Sequence, residues 1–246
     1  MTNDRPVALV TGAARRLGAA IARTLHAAGF DVALHCHRSQ AEADTLAAAL
    51  DATRADSVLV LQADLADFDR LPELVARTIG WHGRLDALVN NASAFFPTPF
   101  GDTTPAQWEA LFAANARAPF FLTQAAAPHL RARRGAVVNL ADIHAERPLR
   151  EHAVYGMSKA ALVHMTRALA LELAPEVRVN AISPGAILWP EEGKSDAAKA
   201  ALLARTPLGR TGTAEEIAEA VRWLLQDARY TTGQVLRLDG GRMLEG

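Results

Sequence analysis

A single cysteine, Cys36, is all that the chain carries, so no disulfide can close within it. One thiol among eight scattered histidines also offers no zinc-ligand spacing, and a reducing, cytoplasmic compartment fits. No apolar run is long enough to span a bilayer, and the opening Met1-Thr2-Asn3-Asp4-Arg5-Pro6 has neither the apolar region nor the cleavage site of a signal peptide. Net charge is −1, with no basic stripe or acidic tail, so neither nucleic acid nor an anionic membrane is favoured as a partner. Any anion site must be local. Repeats, low-complexity tracts and linkers are missing too, and residues 1–246 are expected to form one domain. Lysine is scarce: Lys159, Lys194 and Lys199 are the three among 26 basic residues.

What is present is a large potential core, with 50% hydrophobic and 22% charged residues, which excludes a disordered or fibrous chain. Short aliphatic runs alternate with longer segments of helical period, the pattern of parallel strands joined by crossover helices. Strands are predicted near Val7–Val10, Val32–Cys36, Val58–Gln62, Leu85–Val89, Ala136–Leu140, Val177–Ile182 and Val235–Leu238. Helices are predicted over Leu17–Ala28, Ala41–Leu50, Leu71–Gly80, Pro105–Leu130, Ala153–Ala174, Asp196–Arg205 and Ala214–Gln226. The expected fold is α/β, a doubly wound, seven-stranded parallel sheet with helices on both faces. The irregular stretch after the sixth strand makes 184–205 a candidate substrate loop or lid. In such sheets ligands bind beyond the carboxyl ends of the strands, so the chemistry belongs just after them.

After the first strand, Thr11-Gly12-Ala13-Ala14-Arg15-Arg16-Leu17-Gly18 turns into a helix whose amides and dipole can hold a pyrophosphate. Gly12 permits the tight turn and Gly18 close packing of the helix. Arg16 stands where a third glycine would ordinarily be, which makes the loop bulkier and locally positive. At the end of the second strand, His37, Arg38 and Ser39 supply the arginine and small donors that suit a 2′-phosphate, whereas an NAD site wants a carboxylate there. Asp31 is discounted for that role, because it begins the strand, roughly 17 Å from the far end at 3.3 Å per residue. His35-Cys36-His37 is not a metal site, since alternate side chains point to opposite faces and no further ligand follows.

Asp64, followed by Leu65, comes after the third strand, where its carboxylate suits either an adenine amine or the cap of the next helix. Asn90-Asn91-Ala92-Ser93-Ala94-Phe95-Phe96-Pro97 follows the fourth strand, and its small residues let a ligand approach the backbone. A flat aromatic substrate can stack on Phe95. Phe96 reads equally as a core residue. Tyr155-x-x-x-Lys159 lies within a predicted helix, a spacing that arises by chance about once in forty for a chain with two tyrosines and three lysines. The pair shares one helix face, so the ammonium can lower the phenol pKa and bind a ribose while the phenol delivers a proton.

Thr11 to Gly18, Asn90-Asn91-Ala92, Asn115, Tyr155-x-x-x-Lys159 and Pro184-Gly185 together resemble the short-chain dehydrogenase/reductase superfamily, across essentially the whole chain. Within it, Arg15-Arg16-Leu17-Gly18, His35 to Ser39, Asn91 to Pro99 and Asp142 resemble the pteridine reductases, which use NADPH to reduce pterins or folates. The resemblance implies a Rossmann fold and a homotetramer with chain ends near a neighbouring active site. It implies NADPH contacts from Gly12, Arg15, Arg16, Leu17, Gly18, His37, Arg38, Ser39, Asp64 and Leu65, and from Asn91, Ala92, Ser93, Tyr155, Lys159, Pro184 and Gly185. Arg16, Ser93, Phe95, Asp142, Tyr155, Leu188 and Trp189 would meet the substrate, with Asp142, Tyr155 and Lys159 as the catalytic group and Asn115 supporting the active-site helix.

Asp142 is a departure from the superfamily, which usually has serine thirteen residues before the tyrosine. An ionised carboxylate repels a developing alkoxide, so ketone reduction is disfavoured. A carboxyl group suits instead the protonation of an imine nitrogen and the holding of an aminopyrimidine ring. The leading expectation is therefore NADPH-dependent reduction of dihydropterins or dihydrofolate, with no metal. The alternatives are a reductase of carbonyl substrates such as 3-oxoacyl thioesters or sugars, and a non-catalytic NADP-sensing protein; Tyr155 and Lys159 argue against the last.

Overall fold

The computed structural model of the chain describes residues 4–188 and 195–244. Seven strands, β1 (Val7–Val10), β2 (Asp31–Cys36), β3 (Val58–Gln62), β4 (Ala87–Asn90), β5 (Ala136–Leu140), β6 (Arg178–Pro184) and β7 (Val235–Leu238), form one sheet in the order β3-β2-β1-β4-β5-β6-β7. Every pairing is parallel. The central strands are aliphatic apart from Asn90 on β4 and Asn139 on β5, because both faces of the sheet are covered. β1 reads VALV and all four residues are buried. Its alternation still separates the two cores. Ala8 and Val10 face α1 (Arg16–Ala27), α2 (Gln40–Asp51) and α8 (Ala214–Gln226) through Ile21, Leu46 and Val221. Leu9 faces α3 (Arg70–His82) and α5 (Ala118–Arg133) through Leu74 and Leu122, in a core that extends to Ala170 on α6 (Ala153–Glu172). This is the doubly wound arrangement expected from the sequence.

The strand order reverses between β1 and β4, and at such a switch point the loops leaving the carboxyl ends diverge and open a crevice. One predicted element divides. The helix expected over Pro105–Leu130 is α4 (Pro105–Phe112), a π-helical turn (Ala113–Arg117) and then α5. Pro119 has no N–H for the carbonyl four residues back, at Asn115, and the Asn115 side chain is drawn into bonds with the Ala94 backbone. Local periodicity cannot register that second pull. β6 also runs two residues further than expected and pairs Pro184 with Leu238. In the candidate lid, α7 (Asp196–Ala204) contributes no buried residue, and Trp189 lies outside the described residues. Among the described residues, no helix is long and apolar enough to cross a membrane, and no cluster of His, Cys, Asp and Glu could hold a metal ion.

Candidate active site

The turn after β1 is built by close backbone approach. Gly12 has φ +63°, and a Cβ on Gly18 would lie 2.1 Å from the Gly12 carbonyl oxygen and 2.7 Å from Asn91 Nδ2. Neither position admits a side chain without displacing backbone. Arg16, where a third glycine was expected, also has left-handed backbone, with φ +50°. That conformation costs an arginine of order 1 kcal/mol and holds the side chain at the crevice. Arg15, at the N-cap of α1, gives the first-turn amides no side-chain acceptor.

Buried polar groups hold this turn against β4 and β2. Thr11 Oγ1 accepts from the amides of Asn91 (2.9 Å) and Ala92 (3.0 Å), while Asn91 Nδ2 donates to the carbonyls of Thr11 (2.8 Å) and Gly12 (3.0 Å). His35 Nδ1 accepts from the Gly12 amide at 3.2 Å, and Nε2 donates to the Ala63 carbonyl at 3.1 Å. Burial pushes the imidazole down to about 4, so it is neutral at pH 7 with the proton on Nε2. As a sequence feature, His35 is weighed for a role only as a metal ligand and rejected on strand alternation, so this contact with Gly12 is unexpected.

A second group lies beyond β2 and β3. His37 and Arg38 are exposed, and Ser39 is the N-cap of α2 without using its hydroxyl for capping. Arg38 makes no ion pair among the described residues, and His37 Nε2 is 3.6 Å from Asp64 Oδ2. Of the two readings of Asp64, the helix cap fails, since α3 has Asp69 at its N-cap. Asp64 Oδ1 instead accepts from the Ala66 amide at 2.9 Å, closing a turn, and Leu65 is buried beneath. Asp31 belongs to the opposite edge of the sheet, as its place in the strand requires. It is wholly buried and paired with Arg5 at 2.8 Å, Arg54 at 3.5 Å and His82 at 3.5 Å.

The titratable centre forms where β5 ends against α6. Asp142 caps a short 3-10 turn (Ile143–Ala145), with Oδ1 accepting from the His144 amide at 2.8 Å and Oδ2 from the Tyr155 hydroxyl at 2.7 Å. Burial, and then the Asp142 charge, push the phenol far above its ordinary pKa. Lys159 Nζ donates to the Leu140 carbonyl at 2.7 Å and lies 5.9 Å from the Tyr155 ring centre. Burial lowers this ammonium to about 8, against the pull of Asp142. The Tyr-Lys pair thus shares a face as the spacing requires, but the expected lowering of the phenol pKa is reversed, first by burial and then by the carboxylate in direct contact. Tyr155 holds its proton firmly and aims it at a carboxylate.

Asn115 ties the strand-end loops to α6. Its Oδ1 accepts from the Ser93 hydroxyl and the Ala94 amide, both at 2.9 Å, and its Nδ2 donates to the Ala94 carbonyl at 3.0 Å and to Ser158 Oγ at 2.9 Å. Ser158 then donates to the Tyr155 carbonyl at 2.7 Å, a positioning contact that went unread because a serine inside a helix carries no signal. Phe95 is 54% exposed, stacks on His152 with centres 4.7 Å apart, and meets Tyr155 edge-on at 4.7 Å. Phe96 packs instead in a small cluster with Leu111 and Val154. His152 had not been singled out.

A cavity of about 250 Å³ lies among these groups. Arg16 and Leu17 line it from the start of α1, Asn91 and Ser93 from the loop after β4, and Asp142, Tyr155 and Lys159 from the titratable centre. Pro184, Gly185 and Leu188 close it from β6 and the segment after it, with Leu140, Ala141 and Ile187 as unforeseen wall residues. Gly12, Arg15, Gly18, His37, Arg38, Ser39, Asp64, Leu65, Ala92 and Phe95 are not part of this wall.

The family model described as enoyl-(acyl carrier protein) reductase matches residues 12–242. Pteridine reductase 1 of Leishmania tarentolae is 39% identical over 97% of this chain and 96% of its own length. L-xylulose reductase of Bos taurus is 37% identical over 95% of each chain. The 3-oxoacyl-(acyl-carrier-protein) reductase of Staphylococcus aureus is 34% identical over 95% of this chain and 96% of its own.

Proposed function

The chain belongs to the short-chain dehydrogenase/reductase superfamily of nicotinamide-dependent oxidoreductases, and from that premise we propose that it reduces the C=N bond of dihydropterins or dihydrofolate with NADPH. One observation carries the choice among family chemistries: the Asp142 carboxylate, 2.7 Å from the Tyr155 hydroxyl, stands where a carbonyl reductase needs a neutral donor. A developing alkoxide beside Asp142 would be repelled. A ring nitrogen that takes up a proton, flanked by an exocyclic amine that donates, is instead complementary to it.

The donor set fits the cofactor. The uncapped first turn of α1 and the guanidinium of Arg16 suit the pyrophosphate, and Arg38 with the free N-cap hydroxyl of Ser39 suits a 2′-phosphate. Asp64 and Leu65 would flank the adenine, and Asn91, Ala92, Ser93, Pro184 and Gly185 the nicotinamide half. When bound, the reduced nicotinamide supplies the hydride. The chain's own residues do the rest: Lys159 holds the ribose, Tyr155 provides the proton, Asp142 orients the phenol and the aminopyrimidine edge, and Phe95 covers the ring. Leu188, in the cavity wall, would meet the substrate. The reading extends to a cytoplasmic homotetramer without nucleic-acid or membrane partners.

Initial-rate NADPH oxidation against dihydrofolate, dihydrobiopterin, dihydromonapterin and an acetoacetyl thioester tests it. Turnover of the pterins and not of the thioester is expected. The reverse outcome would assign the chain to the carbonyl chemistry named for its L-xylulose and 3-oxoacyl relatives.

A further inference from the structure

A cavity of about 700 Å³ lies at the amino edge of the sheet, opposite the catalytic crevice. Its wall includes Pro6, Ala87, Gly135 and Arg178, at or just before the amino ends of β1, β4, β5 and β6. Small-molecule sites commonly measure about 300 to 1,000 Å³. Four guanidiniums line the cavity: Arg133 and Arg134 from the end of α5, Arg178, and Arg229 just beyond α8. Arg178 is half-buried and covers the end of α8, donating to the carbonyls of Leu224 (2.6 Å), Leu225 (2.8 Å) and Ala228 (3.0 Å). The side chains of Arg133, Arg134 and Arg229 are exposed and make no hydrogen bond or ion pair among the described residues. Of the carboxylates on the wall, Asp86 is held by Arg84 at 2.7 and 2.8 Å and Asp227 by Arg222 at 2.8 Å, which leaves Glu176. The wall therefore keeps a surplus of positive charge. Arg133 complements the helix dipole in the last turn of α5, but helix capping does not account for Arg134. Its φ is +52°, a left-handed conformation that glycine adopts freely and arginine at a cost. The glycine stands one place later, where a Cβ on Gly135 would run into the Asp86 carbonyl oxygen.

We propose that Arg133, Arg134 and Arg229 make this cavity a site for a multiply charged oxyanion, a diphosphate or a polycarboxylate, at the edge of the sheet away from the crevice. The planar guanidinium fork matches either group. Such a ligand joins the ends of α5 and α8 across the start of β6, and it requires nothing of the reaction at the other edge.

Calorimetry on the full chain with inorganic diphosphate and with citrate, at constant ionic strength, tests the site without reference to turnover. Saturable binding of at least one is expected, and the tighter of the two identifies phosphate or carboxylate as the source. The Arg134→Gln/Arg229→Gln double variant should weaken that binding about tenfold or more, the scale of one lost charge-assisted contact. Arg16→Gln, at the turn proposed for the cofactor pyrophosphate, should leave it unchanged. If no binding component is both lost in the double variant and kept in Arg16→Gln, the site is overturned. Arg134→Gly separates binding from folding. It relieves the left-handed backbone, so the Tm of the free chain should rise by about 2 °C while the anion binds more weakly. Unchanged binding in Arg134→Gly, with a lower Tm, would make Arg134 a structural cap and overturn the assignment.

Discussion

Asp31 and Asp142 mark opposite edges of the same sheet. Asp31, at the amino end of β2, is wholly buried and held by the guanidiniums of Arg5 and Arg54 and the His82 imidazole within 3.5 Å. Asp142, past the carboxyl end of β5, makes no ion pair among the described residues and takes a phenol proton donor and one amide instead. The first arrangement spends the carboxylate on holding chain segments together. The second leaves it facing a phenol proton at the wall of the crevice. One edge therefore contributes stability and the other reactivity, and each prediction below tries to make an edge behave like its opposite.

The largest effect belongs to the reactive edge. Tyr155→Phe removes the proposed proton donor and Asp142→Ala the carboxylate it faces, and a positioned acid contributes about 10² to 10⁴ in rate. Each kcat should fall on that scale with NADPH binding largely retained, and the double variant should lose less than the product of the single losses. Asp142→Ser should cut dihydropterin turnover while gaining, if anything, carbonyl activity. Undiminished dihydropterin turnover in Asp142→Ser would remove the ground for preferring pterins. At the other edge, Asp31→Asn takes the buried carboxylate away from Arg5 and Arg54, which stay partly in contact with solvent, so the cost lies at or below about 3 kcal/mol. Urea unfolding should register that loss with kcat unchanged; a kcat loss without a stability loss would erase the contrast.

His35 places a stability element at the reactive edge, so its pH dependence sharpens the comparison. The folded-state pKa is about 4, below the ordinary 6.5, which means the unfolded chain takes up the proton first as pH falls. The contribution is complete above pH 6.5, declines between 6.5 and 4, and amounts to about 3 kcal/mol. His35→Asn, which keeps an acceptor and a donor without titrating, should flatten the acid limb of Tm against pH in that window. An unchanged slope would place the titrating group elsewhere.

How much of this was legible in the sequence differs between the edges in the same way. β1 announces itself as an uninterrupted aliphatic run, β5 as one broken only by Asn139, and Tyr155 and Lys159 by a spacing that one helix enforces. Signals of that kind lie within one element. The π-helical turn at Asn115, the bond from His35 to Gly12 and the reversal of the phenol pKa each depend on a partner at least thirteen residues away. Asp142 was singled out as a residue type, but its contact with Tyr155 is a product of how β5 meets α6. Proximity in the chain predicted the ammonium to dominate; in the folded chain burial does, with the carboxylate second.

Arg38 is the next smaller step. It is exposed and carries no ion pair among the described residues, so its removal should leave stability intact. Losing one charge-assisted bond to a 2′-phosphate costs about 1.5 to 3 kcal/mol, or roughly tenfold to a hundredfold in binding. Calorimetry on Arg38→Ala should therefore show weaker NADPH binding with NADH little changed, and equal affinity for both cofactors in the unaltered chain would refute the assignment.

Phe95 gives the smallest effect and tests whether an aromatic at the reactive edge is spent on structure after all. One face of its ring lies on His152 and its neighbour Tyr155 approaches at 86°, yet the side chain is 54% exposed, more than a core aromatic would be. If the remaining face receives the pterin, Phe95→Ala loses a stacking term of about 0.5 to 1.5 kcal/mol besides the area it covers. The KM for pterin should then rise several-fold more than that for NADPH, with Tm nearly unchanged. His152→Ala should reproduce part of that rise, because the imidazole fixes the ring plane without touching substrate, and His152→Phe should restore it. A Phe95→Ala protein that melts markedly earlier with its KM unaltered would mean that the His152 stack serves packing, and the division between the two edges would not extend to this ring.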